Sequence, residues 1–130
     1  MIYINLDGDD IGLNIEKSFL ENDEVSLKTI NENIKQIVEI ISLYLIKKGF
    51  KIIFSGADGI IGKGDKIDLE NLSKFVKNNC LPYTFSIGIG DNLKGSFLAL
   101  RYAKSISKNV LVVYTTKTDE FKVLRFENVL

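Results

Sequence analysis

The chain has 130 residues, of which 45% are hydrophobic and 26% are charged, with 17 basic and 17 acidic side chains. This length and composition predict one globular domain over residues 1–130. A net charge of zero argues against binding to a nucleic acid polymer or an anionic membrane surface. No apolar run reaches the ~20 residues of a membrane span, and the first residues lack the basic region of a signal peptide. We therefore expect a cytoplasmic protein.

Histidine is absent from the sequence, and there is a single cysteine, Cys80. Without histidine, the chain lacks the usual general base and the commonest zinc ligand. A lone cysteine permits no disulfide within the chain, and we interpret Cys80 as a buried or half-buried thiol in a reducing compartment. Any catalysis would then depend on carboxylates, lysine and a bound metal ion.

The opening strand, residues 2–6, ends in an acidic turn over residues 7–12, with the sequence DGDDIG. The alternation of the strand places Asp7 on the face opposite its large apolar side chains. Three carboxylates in four positions repel one another unless a cation or hydrogen-bond donors compensate them. The helix predicted to begin here directs free N–H groups to the same place, and such groups suit phosphate. The turn therefore predicts a metal–nucleotide site, the alternative being a solvated capping turn. The residues assigned to the phosphates are Asp10, Ile11 and Gly12.

Hydrophobic spacing predicts the other elements in chain order. A helix over residues 11–21 precedes a long amphipathic helix, which Ser26 caps and Gly49 ends. The later elements are a hairpin of strands over 51–55 and 60–61, a loop over 62–65, a helix capped by Asp68, a strand over 84–90, a helix over 93–107, and strands near 110–114 and 121–126.

One face of the strand over 84–90 carries only small residues, including Ser86 and Gly88. We expect that face to leave room above the sheet for a flat or extended ligand, the alternative being a weak edge strand. The element order β-α-α-β-β-α-β-α-β-β predicts an α+β fold with a mixed, mainly antiparallel sheet and helices on one face. The other face would then be open, with Asp7 and the small residues directed outward.

Asp58 lies in the predicted hairpin turn, residues 56–59. If the hairpin pairs with the first strand, Asp7 and Asp58 can bracket one or two divalent cations, as phosphoryl transfer requires. Taken alone, Asp58 is better explained as a turn-forming residue. The pair is therefore more informative than either member.

Four segments resemble the palm domain of nucleotide cyclases, namely Asp7-Gly8-Asp9, Gly56-Ala57-Asp58-Gly59, residues 86–89 and residues 99–104. The whole chain more closely resembles the minimal CRISPR polymerase family, single-palm relatives of CRISPR polymerases and GGDEF diguanylate cyclases. The resemblance implies a ferredoxin-like palm, and catalytic Asp7 and Asp58 that hold Mg²⁺ or Mn²⁺ with the Gly8 carbonyl. It also implies that nucleoside triphosphates, with ATP expected, are joined into a cyclic oligonucleotide. That product would be a cyclic dinucleotide second messenger in antiphage defence, read by a downstream effector.

The chain departs from these relatives at position 59, where the hairpin motif of the relatives carries an acid and this sequence has Gly59. We therefore expect Asp9 or Asp10 to supply the missing carboxylate, and Asp9 is assigned to the metal. Lys104 matches the lysine that contacts the triphosphate in diguanylate cyclases, and it lies within an apolar helix stripe. The other residues assigned to the nucleotide are Ser55, Gly56, Ala57 and Ser86.

In-line attack needs two nucleotides facing each other, and one small palm offers one site. A homodimer that faces its own open sheet is therefore implied. No DNA template is expected, because nothing supplies a thumb or a basic groove for a duplex. The alternatives are a palm that binds nucleotide without reacting, a receiver-type phosphoacceptor domain, and an aspartyl phosphatase using Asp7 and Asp9.

Overall fold

The computed structural model describes residues 1–125, which form four helices and six strands. In chain order these are β1 (Ile2–Gly8), α1 (Ile11–Leu20), α2 (Glu24–Lys47), β2 (Lys51–Gly56), β3 (Gly59–Gly64), α3 (Leu69–Asn79), β4 (Phe85–Gly90), α4 (Leu93–Ile106), β5 (Val110–Thr115) and β6 (Glu120–Arg125). This is the element order that the sequence predicts. The predicted end of the last strand, Phe126, lies outside the described residues. Within residues 1–125, no helix is both long enough and apolar enough to cross a membrane.

The six strands form one sheet in the order β2-β3-β1-β4-β5-β6. The central strand, β1, is antiparallel to both β3 and β4, and the parallel pair in the described sheet is β4 with β5. The predicted α+β class with a mixed, mainly antiparallel sheet is confirmed. A receiver domain is excluded, because its sheet is of the parallel, doubly wound type.

Two local predictions are wrong. Helix α2 is capped by Asp23 rather than Ser26, because the Asp23 carboxylate accepts a hydrogen bond from the Ser26 N–H at 3.0 Å. The predicted loop over residues 62–65 is mostly strand, since β3 continues to Gly64. Its glycines suggest a loop, but Gly62 and Gly64 pair with β1, and Gly64 packs against the Phe50 ring. Pairing with a central strand thus outweighs the low strand propensity of glycine.

The main core lies between one face of the sheet and the helices α2 and α3. The apolar stripe of α2 buries the residues predicted from its spacing, namely Ile34, Ile37, Val38, Ile41 and Leu45. They pack with the inward residues of β1 and β4, namely Ile4, Leu6, Phe85, Ile87 and Ile89. Cys80 lies in this core, where burial raises the pKa of its thiol to about 11. The prediction of a buried thiol is therefore confirmed.

Helix α4 packs on the opposite face of the sheet, so the prediction of helices on one face is wrong. Its Ala99 and Ala103 form a second cluster with Val110 and Val112 of β5. The small face of β4, expected to leave room for a ligand, is instead covered by the α4 backbone. A Cβ atom at Gly88 would lie 2.4 Å from both the Leu100 nitrogen and the Ser96 carbonyl oxygen. The small residues of β4 therefore allow a close helix–sheet contact.

Replacement of Gly88 by alanine is expected to lower the free energy of unfolding by about 3 kcal/mol, the upper end of the usual cost of overpacking. The clash would involve backbone atoms of α4, which cannot rotate away. Gly12→Ala is the matched control, because no atom lies within 4 Å of its Cβ position. Alanine favours helix over glycine, so that control should be stabilised by up to ~1 kcal/mol. Urea unfolding of both variants would test this, and equal stabilities would contradict the close packing.

Candidate active site

The carboxylates of Asp7 and Asp58 lie near each other at the end of β1, close enough for their charges to interact. Asp7 stands opposite Gly59 in the β1–β3 register, which brings the hairpin turn beside it. The Gly8 N–H donates to the Asp58 carbonyl oxygen at 3.1 Å, and a Cβ atom at Gly8 would lie 3.1 Å from Asp58 Oδ2. A side chain at position 8 would therefore clash with Ile11 and crowd the Asp58 carboxylate. The structure thus brings together the two acids that the sequence pairs.

The environment of Asp7 disfavours its ionised form. Burial raises the pKa of the Asp7 carboxyl, and the nearby charge of Asp58 raises it further. The ammonium of Lys104 acts in the opposite direction without cancelling these effects. The Asp7 side chain is nevertheless 39% exposed, so an ion or ligand can reach it. Two adjacent carboxylates whose negative charge is only partly balanced by Lys104 are suited to binding a divalent cation.

Asp9 differs from Asp7, because its side chain is only 3% exposed and fully engaged. Its oxygens accept hydrogen bonds from four donors, namely Thr84 Oγ1, Ser86 Oγ and Lys104 Nζ, each at 2.7 Å, and the Asn109 N–H at 2.9 Å. Burial by itself would raise the pKa of Asp9, but the hydrogen bonds from Lys104, Ser86 and Thr84 outweigh it and lower that pKa. The predicted metal role of Asp9 does not fit this arrangement, and Asp9 instead joins β1, β4 and the start of β5.

Asp10 also has a protein partner, the ammonium of Lys108. Both side chains of this pair are exposed by more than 40%. Lys108 and Asn109 adopt positive φ angles, 57° and 51°, a turn that directs the Asn109 N–H toward Asp9. Asp10 itself is the N-cap residue of α1 and makes no side-chain capping hydrogen bond. The first N–H groups of α1 are therefore not capped by the side chain of Asp10.

Lys104 lies on α4, and its ammonium reaches the end of β1. Nζ lies 2.7 Å from Asp9 Oδ1, 2.9 Å from the Gly8 carbonyl oxygen, and 3.3 Å from both Asp7 Oδ2 and the Asp7 carbonyl oxygen. The side chain is 24% exposed. The Gly8 carbonyl, which the resemblance assigns to a metal, thus accepts a hydrogen bond from Lys104. The apolar residues around Lys104 lie where α4 packs on the sheet. They cover the aliphatic part of the lysine side chain, while its ammonium reaches the carboxylates.

A cleft of about 700 Å³ opens between the start of α1 and the face of α4. Asp7, Gly8 and Asp58 line its floor, and the predicted phosphate residues Asp10, Ile11 and Gly12 line one wall. Arg101 and Lys108 also line the cleft, with Lys108 paired to Asp10, and our sequence reasoning missed both. Arg101 lies three residues before Lys104, on the same side of α4, and that spacing could have identified it. Lys108 lies beyond the end of α4, in a turn with a positive φ, which helical spacing does not predict.

A second cavity, a groove of about 660 Å³, adjoins this cleft between α1, α2 and the hairpin turn. Its walls are mainly apolar, with Ile15, Leu27, Ile30 and Ile34 contributing. Asn31, Lys28 and Lys35 supply its polar groups, and Ala57 and Asp58 close the end beside the cleft. The groove thus places an apolar surface next to the two carboxylates.

The remaining predicted nucleotide residues are dispersed. Ala57 lines the groove, and Gly56 precedes it in the hairpin turn. Ser86 is fully buried, donates to Asp9 and accepts from the Asn109 N–H, so no nucleotide can reach it. Ser55 pairs with Ile60, whose side chain lies in the main core on the sheet face opposite Asp7. The structure therefore does not bring Ser55 or Ser86 to the cleft.

The donors present fit a magnesium ion in part. Mg²⁺ is usually held by one or two carboxylates together with water and substrate phosphates. Asp7 and Asp58 supply two such carboxylates at the floor of the cleft. Within residues 1–125, no group of three or more acidic, histidine or cysteine side chains is placed to hold a metal. A metal here would depend on these two residues and on its substrate for ligands.

The antiparallel surroundings of β1, with paired acids at its end, define a palm-type domain of the nucleotidyltransferase and cyclase kind. The profile of the family described as minimal CRISPR polymerase domain matches residues 3–114, and the chain belongs to that family. The resemblance drawn from the sequence is therefore confirmed.

Solved structures show the same fold. The X-ray structure of a diguanylate cyclase/phosphodiesterase from Caldicellulosiruptor saccharolyticus matches with a TM-score of 0.60 and 18% identity. The match covers 93% of this chain and 78% of that one. The search of curated proteins found no match. The palm fold is thus established on structural likeness, and family membership on sequence.

Proposed function

We propose that this chain is a nucleotidyltransferase that uses Mg²⁺ or Mn²⁺ to join nucleoside triphosphates, with ATP favoured, into a cyclic oligonucleotide. The expected product is a cyclic dinucleotide that acts as a second messenger in antiphage defence, through an effector that binds it. The observation that carries the proposal is the meeting of Asp7 and Asp58 at the floor of a cleft with a cationic wall.

The substrate would lie across the cleft and the groove. The triphosphate suits the cleft, where the start of α1 offers N–H groups and Arg101 and Lys108 offer positive charge. The base suits the apolar groove, in which the side-chain amide of Asn31 can hydrogen-bond to a base edge. The α-phosphate, between the two, would then stand over Asp7 and Asp58.

The two acids would hold the metal ion and, through it, the reacting phosphate. Bound there, the ion would offset the charge of the triphosphate and lower the pKa of an attacking ribose hydroxyl. That hydroxyl comes from a second nucleotide, and pyrophosphate leaves from the first. One cleft holds one triphosphate, so a second copy of the chain would bring the second nucleotide. Since α4 covers the sheet, the copies would face each other across their clefts and not across an open sheet.

Product analysis tests this function directly. Purified protein would be incubated with each nucleoside triphosphate and Mg²⁺ or Mn²⁺, treated with phosphatase, and separated by mass-resolved chromatography. A phosphatase-resistant species with the mass of a cyclic dinucleotide or larger ring is expected, most abundantly from ATP. The absence of any such species, at enzyme concentrations where a diguanylate cyclase control reacts, would contradict the proposal.

A nucleotide-sensing palm without turnover is the second candidate, and Gly59 is the observation that favours it. The hairpin motif lacks its second acid, and the residue opposite Asp7 in the register is that glycine. A sensor would show nucleotide-dependent thermal stabilisation without product. The same experiment therefore separates the two functions.

A further inference from the structure

The ammonium of Lys104 occupies a set of oxygens that a metal ion could also use. Its neighbours are the backbone carbonyl oxygens of Asp7 and Gly8 and one oxygen from each of the carboxylates Asp7 and Asp9, all within 3.3 Å. Oxygen-only sets of carboxylates and carbonyls are what hard divalent cations bind. A lysine reaching them from α4 is therefore a fixed cation at the end of β1.

The two oxygens of the Asp7 carboxylate face different directions. Oδ2 lies 3.3 Å from Lys104 Nζ, whereas Oδ1 faces the hairpin, 3.6 Å from the Cβ position of Gly59. An acid at position 59 would add its charge on this hairpin side. The chain has glycine there, and on the other side of Asp7 it has an ammonium.

The balance of charges also indicates that Lys104 takes the place of one cation and leaves room for one metal ion. Asp10 is paired separately with Lys108, and Lys104 is the cation in direct contact with Asp7 and Asp9, beside which Asp58 lies. One ammonium among three carboxylates leaves two negative charges, the amount that one divalent cation neutralises. A second divalent cation on the protein side would need the oxygens that Lys104 already occupies.

We propose that Lys104 is a built-in second cation of this site, so that the chain binds one divalent metal ion, held by Asp7 and Asp58, where related palms with a second hairpin acid could bind two. Lys104 is then a positioning residue that orients Asp7 and the Gly8 carbonyl, and the triphosphate is left to Arg101 and Lys108. The inference rests on the proposed function for the identity of the metal site, but it concerns stoichiometry and not turnover.

Counting bound Mn²⁺ tests the proposal without any reaction. Titration of the full chain with Mn²⁺, followed by electron paramagnetic resonance of the free ion, should give one site per chain in the wild type. Lys104→Met keeps the length of the stem and removes the charge, and it should give two sites. Lys94→Met, which removes an exposed lysine from the first turn of α4, should still give one.

Two sites in the wild type, none in the wild type, or an unchanged count in Lys104→Met would each overturn the proposal. If circular dichroism shows that Lys104→Met does not fold, the number of Mn²⁺ ions bound by the wild type decides the question. Anomalous diffraction from Mn²⁺ with a non-hydrolysable ATP analogue should show the Gly8 carbonyl bound to Lys104, and a manganese peak on that oxygen would contradict the inference. If the wild type forms product but binds two ions, the proposed function stands and the inference fails. If the wild type binds one ion and Lys104→Met binds two, but no product forms, the inference stands and the proposed function fails.

Discussion

Replacing Asp7 or Asp58 by asparagine is expected to lower the rate of product formation by about 1,000-fold. Each variant removes one of the two carboxylates at the floor of the cleft, and metal stabilisation of charge in phosphoryl transfer is worth several kcal/mol. A loss of about 4 kcal/mol corresponds to roughly three powers of ten in rate. The measurement is the initial rate of cyclic product from ATP, with the metal ion at saturating concentration.

The matched control for these variants is Asp65→Asn. Asp65 is exposed and follows the far end of β3, so the control removes the same charge away from the cleft. Its rate should equal that of the wild type. Asp7→Asn should not unfold the domain, because burial and then the charge of Asp58 already raise the pKa of Asp7 and disfavour its ionised form. Product from either variant at near wild-type rate would exclude the assigned metal site.

Asp9→Asn is expected to affect stability most, lowering the free energy of unfolding at pH 7 by about 3–5 kcal/mol. The Asp9 carboxylate is buried among four donors, and an amide would present its own N–H groups to two of them. The charge of Lys104 would also lose its closest partner. Urea unfolding followed by circular dichroism measures the change.

The neighbouring variant Asp10→Asn is the control, because it removes an exposed ion pair that contributes at most about 1 kcal/mol. The Asp9 effect should also depend on pH. The folded state lowers the pKa of Asp9 below its ordinary 3.8, so its contribution is complete above that value and is lost as the pH falls through the lowered pKa. The difference between wild type and Asp9→Asn should therefore shrink in acid. Loss of metal binding without loss of stability would instead assign Asp9 to the metal.

Local patterns in the sequence were sufficient to predict the elements and the pairing of the site acids. The 3.6-residue spacing of α2 and the alternation of β1 and β4 depend only on which residues are apolar, and each pattern matches one regular structure. The turn over residues 56–59 predicts a hairpin, and a hairpin beside β1 brings Asp58 to Asp7. The family followed from the same motifs, since their order along the chain is that of a palm.

The roles of the individual polar residues were decided only by the tertiary structure. A run of three acids is the same in sequence whether each points into solvent, into a cleft or into the core. Here the hydrogen-bond donors that separate Asp9 from Asp7 come from residues 75 to 100 positions away. The small residues on one face of β4 likewise predict that something lies close to that face. Whether it is a ligand or a helix depends on where α4 packs, and here the α4 backbone covers the face. Contacts of this range depend on the whole topology, which local spacing does not encode.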